Sequence, residues 1–156
     1  MKINKAPIVY TFICNAPVSF MLTLTAQLVG NPIINWTNFA INFGVGYAIA
    51  VFVGLFFPLV KLGRWFTAKW DVDNETYTGN ILYRMLATMS ITLVFFFFVS
   101  PSLSILNHFL IPGSTPQGTV EFWCRCALPL LTVGFAVSLP ADYVAYHIAH
   151  RIDPNF

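Results

Sequence analysis

Residues 85–111 read MLATMSITLVFFFFVSPSLSILNHFLI, and no Lys, Arg, Asp or Glu interrupts them. A helix rises 1.5 Å per residue, so about 20 residues cross roughly 30 Å of hydrocarbon. A strand edge in lipid would leave backbone N–H and C=O groups without partners, whereas a helix satisfies them internally. The stretch therefore predicts a transmembrane helix. Three further apolar stretches, at about 8–29, 38–60 and 122–148, have the same length and character. The third and fourth spans are long enough to tilt or to extend beyond the hydrocarbon.

The composition agrees. Of 156 residues, 57% are hydrophobic, 17% aromatic and 9% charged. A soluble domain carries roughly 25% charged residues to coat its surface, so a soluble fold and a disordered chain are both excluded. A net charge of +2 is too small for a nucleic-acid binder.

Lys and Arg set the threading. With the N-terminus, the segment after span two and the C-terminus on one side, that side receives Lys2, Lys5, Lys61, Arg64, Lys69, Arg84 and Arg151. The other side receives Arg125 alone. The positive-inside rule then places both termini in the cytoplasm. The outer loops, at about 30–35 and 112–120, are short and rich in Gly, Pro and Asn. Trp36 and Trp123 fall at the outer ends of spans two and four, and Trp65 and Trp70 just past the inner end of span two. An amphipathic ring is stable at such boundaries, so all four are expected as interface anchors. The first span has a basic start but no small-residue cleavage site, and Asn15 and Pro17 break its apolar run. It is therefore expected to be retained rather than cleaved as a signal peptide. Cys14 lies near one face and Cys124 and Cys126 near the other, with no C-x-x-C motif, so no disulfide or redox role is expected.

The linker 61–83 is the one sizeable polar piece. Residues 63–70 mix bases with aromatics and predict a short helix in the membrane interface. The acidic run at 71–75 does not fit a calcium loop, because Thr76 and Leu82 stand where Gly and Glu are needed. It reads as a solvated linker. Two glycosylation triplets, at 35–37 and 74–76, are too short a pattern to carry weight. The linker divides the chain into hairpins at about 8–60 and 85–148, which share a parallel pattern. Each second helix opens near a Trp (Trp36, Trp123) and carries a Pro near its inner end (Pro58, Pro140). A small residue, Gly54 or Ala136, precedes each Pro by four places.

Within the spans, polar and small residues recur every fourth place, which puts them on one ridge of a helix. Span one has Thr11, Asn15, Ser19, Thr23 and Gln27, and span two has Asn38, Asn42, Gly46, Ala50 and Gly54. Span three has Thr88, Thr92, Phe96, Ser100, Ser104 and His108, and span four has Cys126, Leu130, Gly134, Ser138, Asp142, Tyr146 and His150. Such ridges should face protein. Gly46, Ala50 and Gly54 form a helix-packing ridge, since small residues let backbones approach. A polar path between the helices is the competing reading.

Asp142 is the acidic side chain inside an apolar run. A carboxylate at the bilayer centre costs roughly 2.5–3.5 kcal/mol, so it marks a candidate site. Arg84 and Asn15 are its expected partners, with Tyr146 and His147 close in sequence. The functional reading is proton relay or cation coordination, and the structural one is an ion pair that fixes one helix against another. At the outer end, His108 could meet Glu121. His147 and His150 lack the spacing that places two imidazoles on one metal, so no metal site and no cofactor are expected. No phosphate-binding, dinucleotide, zinc-protease or nucleophile-elbow motif is present, so no catalytic residues are assigned and an enzyme is not expected.

The chain resembles the small bacterial membrane proteins grouped as a domain of unknown function (DUF2798), which are built from two-span hairpins, sometimes in tandem. The likeness rests on NAPVSFM at 15–21 and FFPLVK at 56–61 with Arg64 following, and on ATMS at 87–90 and LP at 139–140. In the second half Asp142 and Tyr143 replace the basic exit. The resemblance implies a topology and a bacterial cytoplasmic membrane. It implies no chemistry.

The expectation is thus one all-α transmembrane domain over 1–156, a four-helix bundle of two hairpins with both termini cytoplasmic. Its partners would be the lipid bilayer and a second copy or another membrane protein, and not nucleic acid. The leading functional reading is non-enzymatic and acts through helix–helix association. The alternative is a small-solute or proton-coupled transporter that uses Asp142.

Overall fold

Pro7 stands in the first turn of the first helix, where its missing N–H costs no hydrogen bond. From there the computed structural model, which describes residues 5–31, 33–57, 59–70, 72 and 77–154, is helical almost throughout. Helix α1 runs over Ala6–Gly30, α2 over Trp36–Phe56, α3 over Leu59–Ala68, α4 over Tyr77–Leu110 and α5 over Pro116–Ile152. Local chemistry sets several of these ends. Asn35 caps α2 by accepting from the Asn38 N–H at 3.1 Å, and Thr115 caps α5 by accepting from Gly118 N–H at 3.1 Å, with Pro116 next. Gly113 makes the α4-to-α5 turn at φ 78°, a left-handed conformation that favours glycine.

Four helices, α1, α2, α4 and α5, are long and apolar enough to cross a membrane, as span-length reasoning expects. At 34 and 37 residues, α4 and α5 reach about 50–55 Å at 1.5 Å per residue, more than a bilayer core needs. The second span is shorter than the sequence reading of 38–60. It stops at Phe56, and Phe57 is extended at φ −94° and ψ 139°. A residue before proline is pushed out of the helical region, and Pro58 follows Phe57. The short amphipathic helix begins at Leu59 rather than residue 63. Pro140 behaves differently: α5 continues through it to Ile152, so the two prolines do not play equal parts. Lys2, Pro58, Asp71, Asp73, Asn74, Glu75, Thr76 and the Lys61 side chain lie outside the described residues, and with them the acidic run and the second triplet.

The four long helices close a ring. The most extensive packing is α1 against α5; α1 also packs on α2, α2 on α4, and α4 on α5, while α3 lies along α4. Large apolar groups such as Phe12, Phe52, Phe97, Phe109 and Leu128 face outward. The polar ridge of α1 faces inward, with Thr11, Asn15, Ser19 and Thr23 all buried. This is the distribution of a chain whose solvent is lipid. The buried hydroxyls find backbone acceptors four residues back: Thr23 donates to Ser19 O at 2.8 Å, and Ser138 to Gly134 O at 2.6 Å. Two apolar clusters fill the ring. One joins Ala50, Val53, Phe95 and Val99, and the other Phe96, Cys126 and Leu130.

Small residues set how closely the ring closes. A Cβ built on Gly54 would lie 2.6 Å from the Thr11 methyl, and one on Gly46 3.2 Å from Leu103. Gly46, Ala50 and Gly54 therefore pack against α1 and α4 within the same chain. On the short helix, Thr67 is buried, and its hydroxyl contacts the Gly63 and Arg64 carbonyls at 3.0 Å. Gly63 in turn faces Ala87 of α4.

Candidate functional site

The ring brings the N-terminal parts of α1 and α4 and the C-terminal part of α5 to one end of the bundle. Asp142 sits there, ten residues before the end of α5, with its side chain 21% exposed. Its two oxygens have different partners. Oδ1 accepts a hydrogen bond from the Tyr10 hydroxyl of α1. Oδ2 lies 3.5 Å from Nη1 of Arg84 on α4. The carboxylate thus ties three helices together. Arg84 is itself oriented by Asn80, whose Oδ1 accepts from Nε at 3.2 Å, and its guanidinium lies over the Tyr146 ring at 4.5 Å. Such stacking on an aromatic face suits arginine better than lysine. The Arg84 side chain is 33% exposed, so the charge pair is partly screened and holds the helices only weakly.

Asn15 is buried five residues along α1 from Tyr10, and its amide donates to Thr11 O at 2.9 Å. It joins Asp142 as a wall of a small cavity of about 30 Å³, together with Tyr10, Cys14, Thr92 and Ser138. A water needs about 10–15 Å³ of such space and two or more polar partners. The cavity supplies both, so it can hold one or two hydrogen-bonded waters against the carboxylate. The Thr92 hydroxyl contacts Ser138 Oγ at 3.2 Å and braces α4 on α5 beside it.

His147 stands elsewhere. Five residues after Asp142, it is turned about 140° around α5 at roughly 100° per residue. It is exposed, with its ring against Tyr143 at 4.3 Å and Tyr146 at 5.8 Å. Tyr10 was not among the expected partners of Asp142. Its hydroxyl is nevertheless the donor to the carboxylate, a contact between residues 132 apart in sequence. The only sequence signal was indirect: Tyr10 and Cys14 flank the Thr11 and Asn15 ridge.

At the other end of the bundle a larger cavity of about 680 Å³ lies between α1, α2, α4 and α5. Phe95 lines both cavities. His108 lines the larger one. Its Nδ1 contacts the Ser114 hydroxyl at 2.6 Å and the Thr119 hydroxyl at 3.2 Å. Glu121, the expected partner, instead accepts from Gln117 at 3.1 Å.

Three of the four tryptophans are exposed: Trp36, Trp65 and Trp70. Lys69 lies 4.0 Å over the Trp65 ring, keeping its charge at the helix surface. Trp123, expected as an interface anchor at the outer end of span four, is half-buried. It turns into the bundle, stacks on Phe96 at 5.8 Å and donates from Nε1 to Ser100 Oγ at 2.7 Å. That hydroxyl gives the indole N–H a partner inside, so the ring gains packing without losing its hydrogen bond.

Among the described residues, no group of three His, Cys, Asp or Glu side chains is placed to hold a metal ion. Comparison with known proteins gave no match: no protein family fits the chain, and no curated protein or solved structure matches it.

Proposed function

We propose that this multi-pass membrane protein is a small non-enzymatic carrier that moves protons, alone or with a small solute, through the interior of its bundle. One observation carries the reading: two cavities follow one another inside a closed ring of helices, share Phe95 as their common wall, and reach a carboxylate at one end. Asp142 is the group that takes and releases the proton. Tyr10 and Arg84 orient the carboxylate, and Asn15 lines the small cavity beside it. When Oδ2 takes up a proton the attraction to Arg84 falls, and when the proton leaves the pair reforms. An acidic side chain inside an apolar helix is costly and marks a functional site by default, proton relays among them.

In this proposal the chain lies in a bacterial cytoplasmic membrane as two hairpins with both termini in the cytoplasm. The excess of Lys and Arg at the Asp142 end supports that threading. The likeness to the DUF2798-type proteins is proposed on the same footing, as a statement about topology.

Association with a second copy or another membrane protein is the other reading. The ridge that invited it, Gly46, Ala50 and Gly54, is occupied by α1 and α4. A partner helix would have to use a different face.

Proteoliposomes with an internal pH dye test the proposal. The full chain should pass protons down an imposed gradient faster than empty vesicles, Asp142→Asn should fall to the empty-vesicle rate, and Asp142→Glu should recover part of it. Equal rates for Asp142→Asn and the unaltered chain would sink the carrier reading.

A further inference from the structure

The larger cavity lies at the far end of the bundle from Asp142, and its wall is nearly without ionisable groups. No described lining residue is Lys, Arg, Asp or Glu, and the titratable ones are His108 and Cys126. Cys126 is 1% exposed, inside an apolar cluster with Phe96 and Leu130. His108 is half-buried in the last turn of α4. The ends of α1 and α2 that line the cavity, at 27–38, hold no charged residue. Glu121 and Arg125 of α5 do not line it, and Glu121 accepts from Gln117 at 3.1 Å.

The hydrogen bonds around His108 fix where its own proton sits. The Ser114 hydroxyl lies 2.6 Å from His108 Nδ1 and 2.8 Å from His108 O. The Thr119 hydroxyl lies 3.2 Å from the same Nδ1 and 3.0 Å from Thr115 O. Each hydroxyl has one hydrogen, and a carbonyl oxygen can only accept. Those two hydrogens therefore go to His108 O and Thr115 O. The contacts with the ring then require a hydrogen on Nδ1, shared between the two hydroxyl oxygens. In the neutral ring this leaves the lone pair on Nε2. Nε2 has no hydrogen-bond partner among the described residues, yet it is not sealed from solvent. A proton can be added there without breaking either contact at Nδ1, because an imidazolium donates from both nitrogens.

His108 also stands on the ridge that leads to Asp142. Ser104, Ser100 and Phe96 precede it on α4 at spacing four and line the larger cavity, and Thr92 and Thr88 carry the same ridge into the wall of the small one. From His108 to Thr92 the helix rises about 24 Å. We infer that His108 is the second proton-exchange group of the bundle, loaded and unloaded through Nε2 at the mouth of the larger cavity. Nε2 takes a proton from water at the mouth and gives it to water inside the cavity. It then regains its lone pair, and the Nδ1 proton is never released. Histidine is the side chain that ordinarily changes charge between about pH 5 and 8, which suits exchange in both directions. The inference rests on the proposed carrier and supplies the far end of its route.

Nitrogen NMR of the full chain in nanodiscs reads the ring directly. The chain has three histidines, so His147→Gln with His150→Gln leaves His108 as the only labelled ring. At high pH the ring should be a single neutral tautomer with its proton on Nδ1. Lowering the pH should add a proton at Nε2 while the Nδ1–H signal persists. A neutral ring protonated on Nε2, or one whose charge does not change between about pH 5 and 9, overturns the inference. Proton movement in proteoliposomes gives the second reading. His108→Asn places an amide N–H where Nδ1–H stands, so it keeps the tether and removes the titrating nitrogen. It should slow proton movement severalfold and flatten its dependence on pH. An unchanged rate and pH profile in His108→Asn, beside an inactive Asp142→Asn, sinks this inference alone. An unaltered chain no faster than empty vesicles sinks the carrier reading, and the far end with it. Where His108→Asn fails to fold, the ring titration decides.

Discussion

Asn42 of α2 and Asn107 of α4 form a closed amide pair: Asn42 Nδ2 donates to Asn107 Oδ1 at 3.0 Å, and Asn107 Nδ2 donates back to Asn42 Oδ1 at 2.9 Å. Each amide also donates to the carbonyl four residues earlier in its own helix, Asn38 O at 2.8 Å and Leu103 O at 2.9 Å. All four amide N–H groups of the pair are therefore used, two across the contact and two within their own helices, and each amide oxygen accepts one of them. Replacing Asn107 by Leu leaves Asn42 with an unsatisfied oxygen beside an apolar group. The loss should be about 1–2 kcal/mol, at the upper end of interhelical polar contacts in membranes. The double replacement Asn42→Leu with Asn107→Leu should cost less than the sum of the singles. Unfolding of all four proteins in mixed micelles gives the coupling directly, and strict additivity would show that the pair is not energetically joined.

Two glycines ten residues apart on α2, Gly44 and Gly54, make a matched test of packing. A methyl on Gly54 would meet Thr11 Cγ2 at 2.6 Å, and Thr11 is held by its hydroxyl bond to Pro7 O at 2.8 Å. A methyl on Gly44 would meet nothing within 4 Å. Gly54→Ala should therefore destabilise by about 1–3 kcal/mol through overpacking. Gly44→Ala should be neutral or stabilise by up to about 1 kcal/mol through helix propensity. Thermal unfolding in one detergent compares them, and the same shift in both would mean that α1 does not approach α2 closely at Gly54.

Tyr10 separates positioning from proton exchange. Tyr10→Phe keeps the ring but removes the hydroxyl that donates to Asp142 Oδ1. The fold should lose only about 1 kcal/mol. Proton movement in proteoliposomes should fall severalfold but not to the level of Asp142→Asn, because the carboxylate remains. Complete loss with an intact fold would instead make the Tyr10 hydroxyl part of the relay.

The helical class and the four spans were legible because lipid imposes one length and one secondary structure on any crossing segment. The inward ridges were legible for a related reason: Thr11, Asn15, Ser19 and Thr23 recur at a helical period, and lipid has no use for them. The closed ring was not. Spacing along one helix says which residues share a face, and it is silent on which helix that face meets. Hence the Arg84 partner of Asp142 could be proposed from depth in the membrane, whereas the Tyr10 hydroxyl, 132 residues away, could not. Trp123 shows the same gap. Its position along α5 fits an interface anchor, yet its direction depends on Phe96 and Ser100 of α4. The break at Phe57 was legible in principle, since Pro58 follows it.

Phe95 is the residue on which the two cavities depend. It is buried at 9% exposure, packs with Ala50, Val53 and Val99, and lines both the 30 Å³ space beside Asp142 and the 680 Å³ space at the other end. In the proposed carrier its ring is the barrier a solute would have to pass. Phe95→Ala removes that barrier but also deletes a core side chain, at a cost of about 3–5 kcal/mol. Phe95→Leu keeps much of the packing and shortens the obstruction, so it is the cleaner variant. Leak of protons from vesicles should rise severalfold for Phe95→Leu and further for Phe95→Ala. The leak should fall back when Asp142→Asn is added, since the proton would still have to pass the carboxylate. If Phe95→Leu folds and leaks no faster than the unaltered chain, the two cavities are separate spaces and the route between them lies elsewhere or does not exist.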